Sequence, residues 1–276
     1  MGSAELAWVT WGNPSRHTIL LIHGAAGCGR IWQPLSQVLA DQYHLVAPDL
    51  RGHGASPRPG SYRPEELLAD IEAFVEARGL QSFTLIGHAL GGLLALGYAI
   101  RHAERVAALV SVDVNVPLPK RQIEHLRAAG RKLHPVFASW TDAIAYLRKT
   151  LSAGASDEIL ELVANCVLVK APGGWSFGFD RQILRHYAML DAAAELERVQ
   201  CPTLFLRGSE SPVMDRSGGI AMLHRVAGAR LAQIPRCGHY VFLDNPAATA
   251  HEVRLFLVEA LRDRAPALIR TQPAIP

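Results

Sequence analysis

The stretch Gly87-His88-Ala89-Leu90-Gly91-Gly92 decides the fold, because it joins two apolar segments through a turn rich in glycine. Residues 83–87 have the length and composition of a buried strand, and residues 90–100 those of an apolar helix. Glycines on both sides of Ala89 allow a strained backbone and a close approach of strand and helix. The stretch therefore predicts a strand, a sharp turn and a helix, with the side chain of Ala89 projecting from the turn.

Strand and helix patterns alternate on both sides of this turn. Alternation of this kind is typical of the α/β class, in which a mostly parallel sheet has helices on both faces. The predicted strands are residues 18–23, 44–48, 83–87, 106–112, 203–207 and 230–234, and the predicted helices outside the long insertion are residues 31–40, 65–78, 90–100 and 246–261.

One connection is too long to be a simple crossover. Residues 117–198 separate two predicted strands and contain helical patterns around residues 122–133, 142–151 and 157–169. We interpret them as an inserted helical cap over the carboxyl ends of the strands, where folds of this class bind ligands. The predicted core is then residues 1–116 and 199–276, with a loose tail at 262–276.

Composition restricts the partners and the compartment. The 276 residues are 49% hydrophobic and carry a net charge of +3, which is too small to predict binding to nucleic acid or to an anionic membrane. The four cysteines lack metal-ligand spacing, and the first ten residues contain no basic leader. The longest apolar run, residues 90–100, is half a bilayer span. We expect a cytoplasmic protein with a small-molecule substrate; the sequence does not indicate the oligomeric state.

Three further motifs follow predicted strands. They are His23-Gly24-Ala25-Ala26-Gly27, the turn Asp49-Leu50-Arg51-Gly52-His53-Gly54-Ala55-Ser56, and Cys237-Gly238-His239. Together with residues 87–92, and in this chain order, they resemble the α/β-hydrolase superfamily, in particular a branch of small esterases. The resemblance extends over residues 18–256 and implies the α/β-hydrolase fold, with residues 87–92 as its nucleophile elbow.

The resemblance assigns roles at the elbow and at the glycine-rich loop. Relatives carry serine at the position of Ala89, whose methyl group cannot attack a carbonyl. The backbone N–H groups of Ala25 and Leu90 correspond to the donors that stabilise an oxyanion. His239 corresponds to the catalytic histidine, while Asp49 and His53 are interpreted as hydrogen-bonding groups of their turn.

The acid that would orient His239 is displaced from its commonest place. Most relatives carry it after the strand that precedes the histidine loop, and that position is Ser211 here. Glu210 and Asp215 flank the position but are out of register. Asp113, which follows residues 106–112, matches the place of the acid in the esterase branch. We therefore predict a pair of His239 and Asp113.

Aromatic residues in the insertion suggest the substrate. The segment Gly174-Trp175-Ser176-Phe177-Gly178-Phe179-Asp180 resembles a W-x-F motif of the same branch that returns over the pocket. We expect Trp175, Phe177, Phe179 and His88 to contact substrate. No metal or organic cofactor is expected, since no His/Asp/Glu cluster has ligand spacing and the elbow glycines do not form a dinucleotide motif.

Ala89 leaves several activities open. If it replaces a serine, the chain is an esterase whose nucleophile has been removed, at a cost of about 10⁶ in turnover. If it is native, His239 could activate water to hydrolyse a small, mainly apolar ester, thioester or other carbonyl compound. His239 could equally take a proton from the substrate in a lyase or C–C cleavage reaction. A fourth hypothesis is an inactive binding protein, although a buried acid–base pair has no evident use in one.

Overall fold

The computed structural model describes residues 4–152, 154–188, 190 and 195–262. The strands are β1 Trp8–Trp11, β2 Thr18–Ile22, β3 His44–Pro48, β4 Phe83–His88, β5 Val106–Val112, β6 Leu168–Ala171, β7 Gly174–Phe177, β8 Thr203–Gly208 and β9 Arg230–Ile234. The helices are α1 Gln33–Leu39, α2 Pro64–Ala77, α3 Leu90–Arg101, α4 Lys120–Gly130, α5 Trp140–Thr150, α6 Asp157–Val167, α7 Gln182–Arg185, α8 Arg216–Arg225, α9 Val241–Asp244 and α10 Pro246–Ala260. Except for Arg262, the predicted loose tail lies outside the described residues.

Seven strands form one twisted sheet in the order β1-β3-β2-β4-β5-β8-β9. Only β1 is antiparallel to its neighbour, while the other pairs are parallel. This arrangement confirms the predicted fold class. The sequence analysis missed β1, whose four residues alternate between exposed and half-buried at the edge of the sheet.

The two faces of the sheet pack against different helices. Successive residues of β2 point to opposite faces, so that Leu20 and Ile22 belong to one apolar cluster and Ile19 and Leu21 to the other. The first cluster includes the buried side chains of α2 and α3, and the second those of α1 and α10. The central strands β4, β5 and β8 are buried along their whole length. This burial explains their near-continuous apolar sequences.

The turn between β4 and α3 is possible only with glycine at two positions. A Cβ atom on Gly91 would lie 2.1 Å from the carbonyl oxygen of Ile22, and one on Gly87 would lie 2.2 Å from that of Gly91. Ala89 between them has φ +50°, in the left-handed region that side chains disfavour. The close contact therefore fixes both the path of the chain and the direction of the Ala89 methyl group.

The inserted segment, residues 117–198, is not purely helical. Helices α4, α5 and α6 correspond to the three predicted patterns, but α6 ends at Val167 and the chain continues into a two-stranded antiparallel sheet of β6 and β7. The hairpin turns at Gly173 and Gly174, with φ +86° and +140°. Strand β7 also bridges to Phe137. The prediction of a helix up to residue 169 was therefore too long.

The turn at residues 49–56 supports the glycine-rich loop at residues 23–27. Asp49 accepts hydrogen bonds from the backbone N–H groups of Gly29 (2.6 Å) and Ala55 (2.9 Å). His53 Nε2 accepts one from Ala26 (3.3 Å). Arg51 anchors the turn to α2 through two hydrogen bonds to Asp70, at 2.5 and 2.6 Å, and both side chains are buried. This ion pair therefore fixes the turn that contacts the glycine-rich loop.

We expect Asp70→Asn to lower the free energy of unfolding by about 3–5 kcal/mol, because it replaces the close ion pair of the buried Arg51 and leaves it the longer contact with Glu66, at 3.6 Å. Urea unfolding followed by circular dichroism measures the change. Glu72→Gln on the same helix is the matched control, since Glu72 forms a largely exposed pair with Arg101 worth about 0–1 kcal/mol. Equal losses in the two variants would contradict this assignment.

Candidate active site

Ala89 lies at the floor of a cavity between the sheet and the inserted segment. Its N–H donates to the carbonyl of Val112 (3.0 Å), and its carbonyl accepts from the N–H of Leu93 (3.1 Å). Because the backbone is fixed on both sides, the methyl group has one position. It lines a cavity of 540 Å³, which presents no hydroxyl group at this point of the chain.

His239 and Asp113 form a short contact beside Ala89. The distance between Nδ1 of His239 and Oδ2 of Asp113 is 2.6 Å. The carboxylate of Asp113 is fully buried, whereas the imidazole of His239 is 21% exposed and lines the same cavity as Ala89. A carboxylate accepts only, so Nδ1 carries the proton and Nε2 keeps a lone pair. The arrangement supplies an oriented base.

Asp113 reaches this place because β5 lies between β4 and β8. Its N–H donates to the carbonyl of Leu206 (2.8 Å), and it turns out of the strand with φ +51°. The histidine loop approaches from β9 across Gly208, where a Cβ atom would lie 2.1 Å from the carbonyl oxygen of Gly238. Glycine at residue 208 is therefore needed for the loop to approach so closely.

Ser211, which occupies the commoner position of the acid, contributes a hydroxyl group instead. Its Oγ donates to Oδ2 of Asp113 (2.5 Å) and accepts from the N–H groups of Val213 and Met214. The N–H of Gly208 donates to the other carboxylate oxygen of Asp113 (3.3 Å). These donors, with His239, compensate the burial of the negative charge. The sequence analysis identified the position but not this role.

The two other acidic candidates have different partners. The carboxylate of Asp215 caps α8 by accepting from the N–H of Gly218 (2.6 Å) and from Ser217. These hydrogen bonds, led by that of Gly218, lower the pKa of Asp215. The backbone N–H of Glu210 donates to the carbonyl of Cys237 (2.9 Å). Within the described residues, the contact that His239 makes with a carboxylate is the one to Asp113.

The two residues whose N–H groups are expected to form the oxyanion hole lie at the cavity. Ala25 and Leu90 both line it, together with Ala89 and His239. Leu90 is the first residue of α3, so its N–H has no acceptor within the helix. The neighbouring N–H of Ala26 is already used by His53. The geometry thus brings together the residues that the sequence analysis assigned to this hole.

His88 does not line the cavity, contrary to the expectation that it contacts substrate. It is 1% exposed, and its ring packs against that of His239 with a centroid distance of 4.4 Å. Nε2 lies 3.1 Å from the backbone carbonyl of His239. Burial, reinforced by the neighbouring His239, holds the pKa of His88 well below its ordinary value. His88 is a neutral side chain that packs against the ring of His239 and contacts the backbone of the histidine loop.

The cavity is mainly apolar. Its polar side chains, apart from His239 and Tyr240, are Gln122 and His125 of α4 and Thr150 at the end of α5. The apolar side chains that line it are Ala25, Ala26, Ala89, Leu90, Val114, Leu118, Leu126, Leu184, Pro212 and Val213, with Tyr187 beside them. Residues of the sheet loops and of the inserted segment contribute together, so the cavity lies between the two.

The three aromatic residues predicted to contact substrate have different environments. Phe177 and Phe179 line an adjoining chamber of 200 Å³. Trp175 lines neither space: it packs edge-on against Trp140 at 4.5 Å, and the ammonium group of Lys170 lies 3.8 Å from its ring centroid. Phe177 and Phe179 therefore lie at the chamber, whereas Trp175 is a packing contact of the inserted segment.

Asp244 connects the histidine loop to the inserted segment. One carboxylate oxygen accepts from the N–H of Gly238 (2.8 Å), and the other accepts from the N–H of Gly154 (3.1 Å) and the hydroxyl of Ser152. Gly238 directly precedes His239. No sequence motif indicated this connection, because its partners are about ninety residues apart in the chain.

Other kinds of site are not evident in the described residues. No group of three or more His, Cys, Asp or Glu side chains there could hold a metal ion. Burial raises the pKa of the Cys237 thiol to about 11. The pKa of Cys28 is also raised, chiefly by a hydrogen bond with Cys166. Among residues 4–152, 154–188 and 195–262, no helix combines the length and apolar character needed to cross a membrane.

Comparisons with known proteins agree with the observed fold. A family model described as "Alpha/beta hydrolase family" matches residues 19–252. The putative carbamate hydrolase RutD of Klebsiella pneumoniae subsp. pneumoniae is 26% identical over 235 residues, which cover 82% of this chain and 85% of that protein. Esterase YbfF of Escherichia coli K12 is 23% identical over 241 residues, which cover 87% and 92%. The solved structure of the thioesterase domain from the curacin biosynthetic pathway has a TM-score of 0.78 and 25% identity, covering 92% of this chain and all of that domain.

We expect stability to fall below about pH 6.5, the ordinary pKa of histidine, because buried neutral histidines are protonated in the unfolded chain but not in the folded one. Burial is the largest cause that lowers the pKa of His23, His53 and His88. Each histidine that stays neutral in the folded chain lowers the free energy of unfolding by about 1.4 kcal/mol per pH unit in that range. Urea unfolding between pH 7 and 5 should therefore show a shallower loss in His88→Gln, whereas exposed His224→Gln should keep the parent slope. An unchanged slope in His88→Gln would contradict a neutral buried His88.

Proposed function

This chain belongs to the alpha/beta hydrolase family, and on that premise we propose that it hydrolyses small, mainly apolar esters, thioesters or related carbonyl compounds with a water molecule activated by His239. The observation that carries the proposal is the 2.6 Å contact between Nδ1 of His239 and Asp113, beside Ala89 in one cavity. The contact leaves Nε2 as a base, and Asp113 stabilises the imidazolium that forms.

The proposed reaction is a direct attack by water. The water oxygen bonds to the carbonyl carbon while Nε2 of His239 takes one of its protons. The negative charge then develops on the carbonyl oxygen, which accepts from the N–H groups of Ala25 and Leu90. Collapse of this intermediate breaks the bond to the alkoxide or thiolate, which leaves with the proton from His239. The products are a carboxylic acid and an alcohol or thiol.

Ala89 determines that no acyl-enzyme forms. A methyl group cannot attack, and Ala89 lines the same cavity as His239, so water activated by this base is the proposed nucleophile. A thiol cannot replace the serine either, since Cys28 and Cys237 are buried and their pKa values are raised. The chemistry must therefore use a nucleophile that enters with the substrate.

The cavity supports a substrate with apolar groups around its carbonyl. Its walls are mostly aliphatic, and 540 Å³ accommodates a small molecule. The names of the relatives, which include an esterase and a thioesterase domain, are consistent with oxygen and sulfur esters. A ligand with several charges would leave them facing aliphatic side chains without partners.

A second candidate function is recognition without turnover, and Ala89 itself favours it. A cavity that keeps the shape of a hydrolase site but lacks its nucleophile can retain an ester or lactone intact. This alternative predicts tight binding that is independent of the basicity of His239.

We expect the chain to hydrolyse short activated esters, and His239→Ala to lower kcat/KM by about 10²–10⁴, the usual contribution of general base catalysis. Asp113→Asn should lower it by a comparable factor, because the tautomer of His239 is no longer fixed. Turnover of 4-nitrophenyl acetate and butyrate, corrected for the buffer rate, is the measurement. The exposed His251→Ala is the matched control and should retain parent activity.

Ala89→Ser separates the alternatives. In the proposed reaction the alanine protein turns over with no acyl adduct by mass spectrometry, and the adduct appears only after Ala89→Ser. An activity present only in Ala89→Ser would show that the alanine replaces a functional serine and would overturn the water mechanism. Tight ligand binding with no turnover in either form would instead establish the binding protein.

A further inference from the structure

We propose that the chamber adjoining the main cavity binds a carboxylate at the end of the substrate remote from the reacting carbonyl, with Arg181 as the residue that recognises it. This inference rests on the proposed function, because it describes one molecule that occupies both spaces. It adds a specificity-determining residue and a chemical class: an ester or thioester with an apolar stem and a terminal acid.

The chamber adjoins the main cavity and shares part of its wall. It has a volume of 200 Å³ and shares Ala26, Thr150 and Tyr240 with the cavity that contains Ala89 and His239. The remaining walls include the rings of Phe177 and Phe179. A ligand whose carbonyl lies at the elbow can therefore extend past Thr150 and Tyr240 into this second space.

Arg181 provides a positive charge in this chamber. Its Nε donates to the carbonyl of Ala129 (2.8 Å), and its Nη1 donates to the carbonyl of Leu133 (2.7 Å). These bonds orient the guanidinium but do not neutralise it. Within the described part of the chain, Arg181 forms no ion pair with a carboxylate, and the structure records no hydrogen bond from its Nη2.

Two titratable neighbours of Arg181 leave its guanidinium without an ion pair. The carboxylate of Asp180 is held by the hydroxyl of Tyr62 (2.5 Å) and by the N–H of Gln182 (3.0 Å). His134 lies 3.3 Å from Nη1 of Arg181 and is neutral, because burial, followed by the positive charge of Arg181, lowers its pKa. Its Nε2 donates to the carbonyl of Phe179 (2.8 Å). Arg181 is therefore the charged side chain among the described residues that line the chamber.

This environment matches a single carboxylate. Aromatic walls lower the local dielectric and strengthen an ion pair with the guanidinium. A carboxylate carries one negative charge and can accept charge-assisted hydrogen bonds from Nη2, the guanidinium nitrogen of Arg181 for which the described residues provide no acceptor. A phosphate dianion would bring a second charge that no side chain in the chamber balances. A ligand with an apolar stem and a terminal carboxylate therefore matches both the main cavity and the chamber.

Isothermal titration with a matched pair of ligands tests this assignment. Monomethyl adipate carries one ester and one carboxylate, whereas dimethyl adipate has the same chain and no charge. We expect the parent protein to bind the monoester at least about tenfold more tightly than the diester, as a hydrogen-bonded charge pair provides. In Arg181→Gln the preference should disappear, and in Arg181→Lys, which keeps the charge, a part of it should remain.

The ratio of the two affinities is the readout, because a general disturbance of the cavity weakens both ligands equally. Arg131→Gln, an exposed arginine of the same inserted segment, is the matched control and should keep the parent ratio. A parent protein that binds both ligands equally, or an unchanged ratio in Arg181→Gln, overturns the assignment to Arg181 and leaves the proposed function standing. Binding of neither ligand to the parent overturns the proposed function itself.

Discussion

The close contact between the start of α3 and the end of β2 is the constraint on which the rest of the structure depends. Only glycine at residues 87 and 91 permits it, because any Cβ atom would lie about 2 Å from a carbonyl oxygen. The contact forces Ala89 into a left-handed conformation and directs its side chain into the cavity. Maintaining such strain has a cost of about 1–3 kcal/mol, which the surrounding packing offsets. The backbone of the turn thus fixes the direction of the Ala89 methyl group.

Much of the sheet could be predicted from sequence, because its central strands are buried on both faces and have continuous apolar runs. The edge strand β1 could not, since its burial alternates over four residues and its pairing with β3 is a long-range contact. The hairpin of β6 and β7 was missed for a different reason. The apolar period of α6 continues through Leu168, so the sequence predicts a longer helix. The chain reverses direction at Gly173 and Gly174, which have positive φ angles.

The candidate site shows the same division. Ala89, His239 and Asp113 were predicted together because each follows a strand whose carboxyl end lies at one edge of the sheet. The environments of His88 and Trp175 depend on the side chains that pack against them from elsewhere in the chain, which a motif does not specify. Ser211 is informative for another reason. The loop after β8 contributes a hydroxyl donor to the carboxylate of Asp113 rather than a carboxylate of its own.

The carboxylate of Asp244 links the inserted segment, which lines the cavity, to the loop that carries His239. It joins residues 152 and 154 of the inserted segment to the amide of Gly238, one residue before the imidazole. A displacement of these residues away from the sheet must either break these hydrogen bonds or move the histidine loop as well. The positions of residues 152 and 154 and the orientation of the imidazole are therefore linked through a single carboxylate.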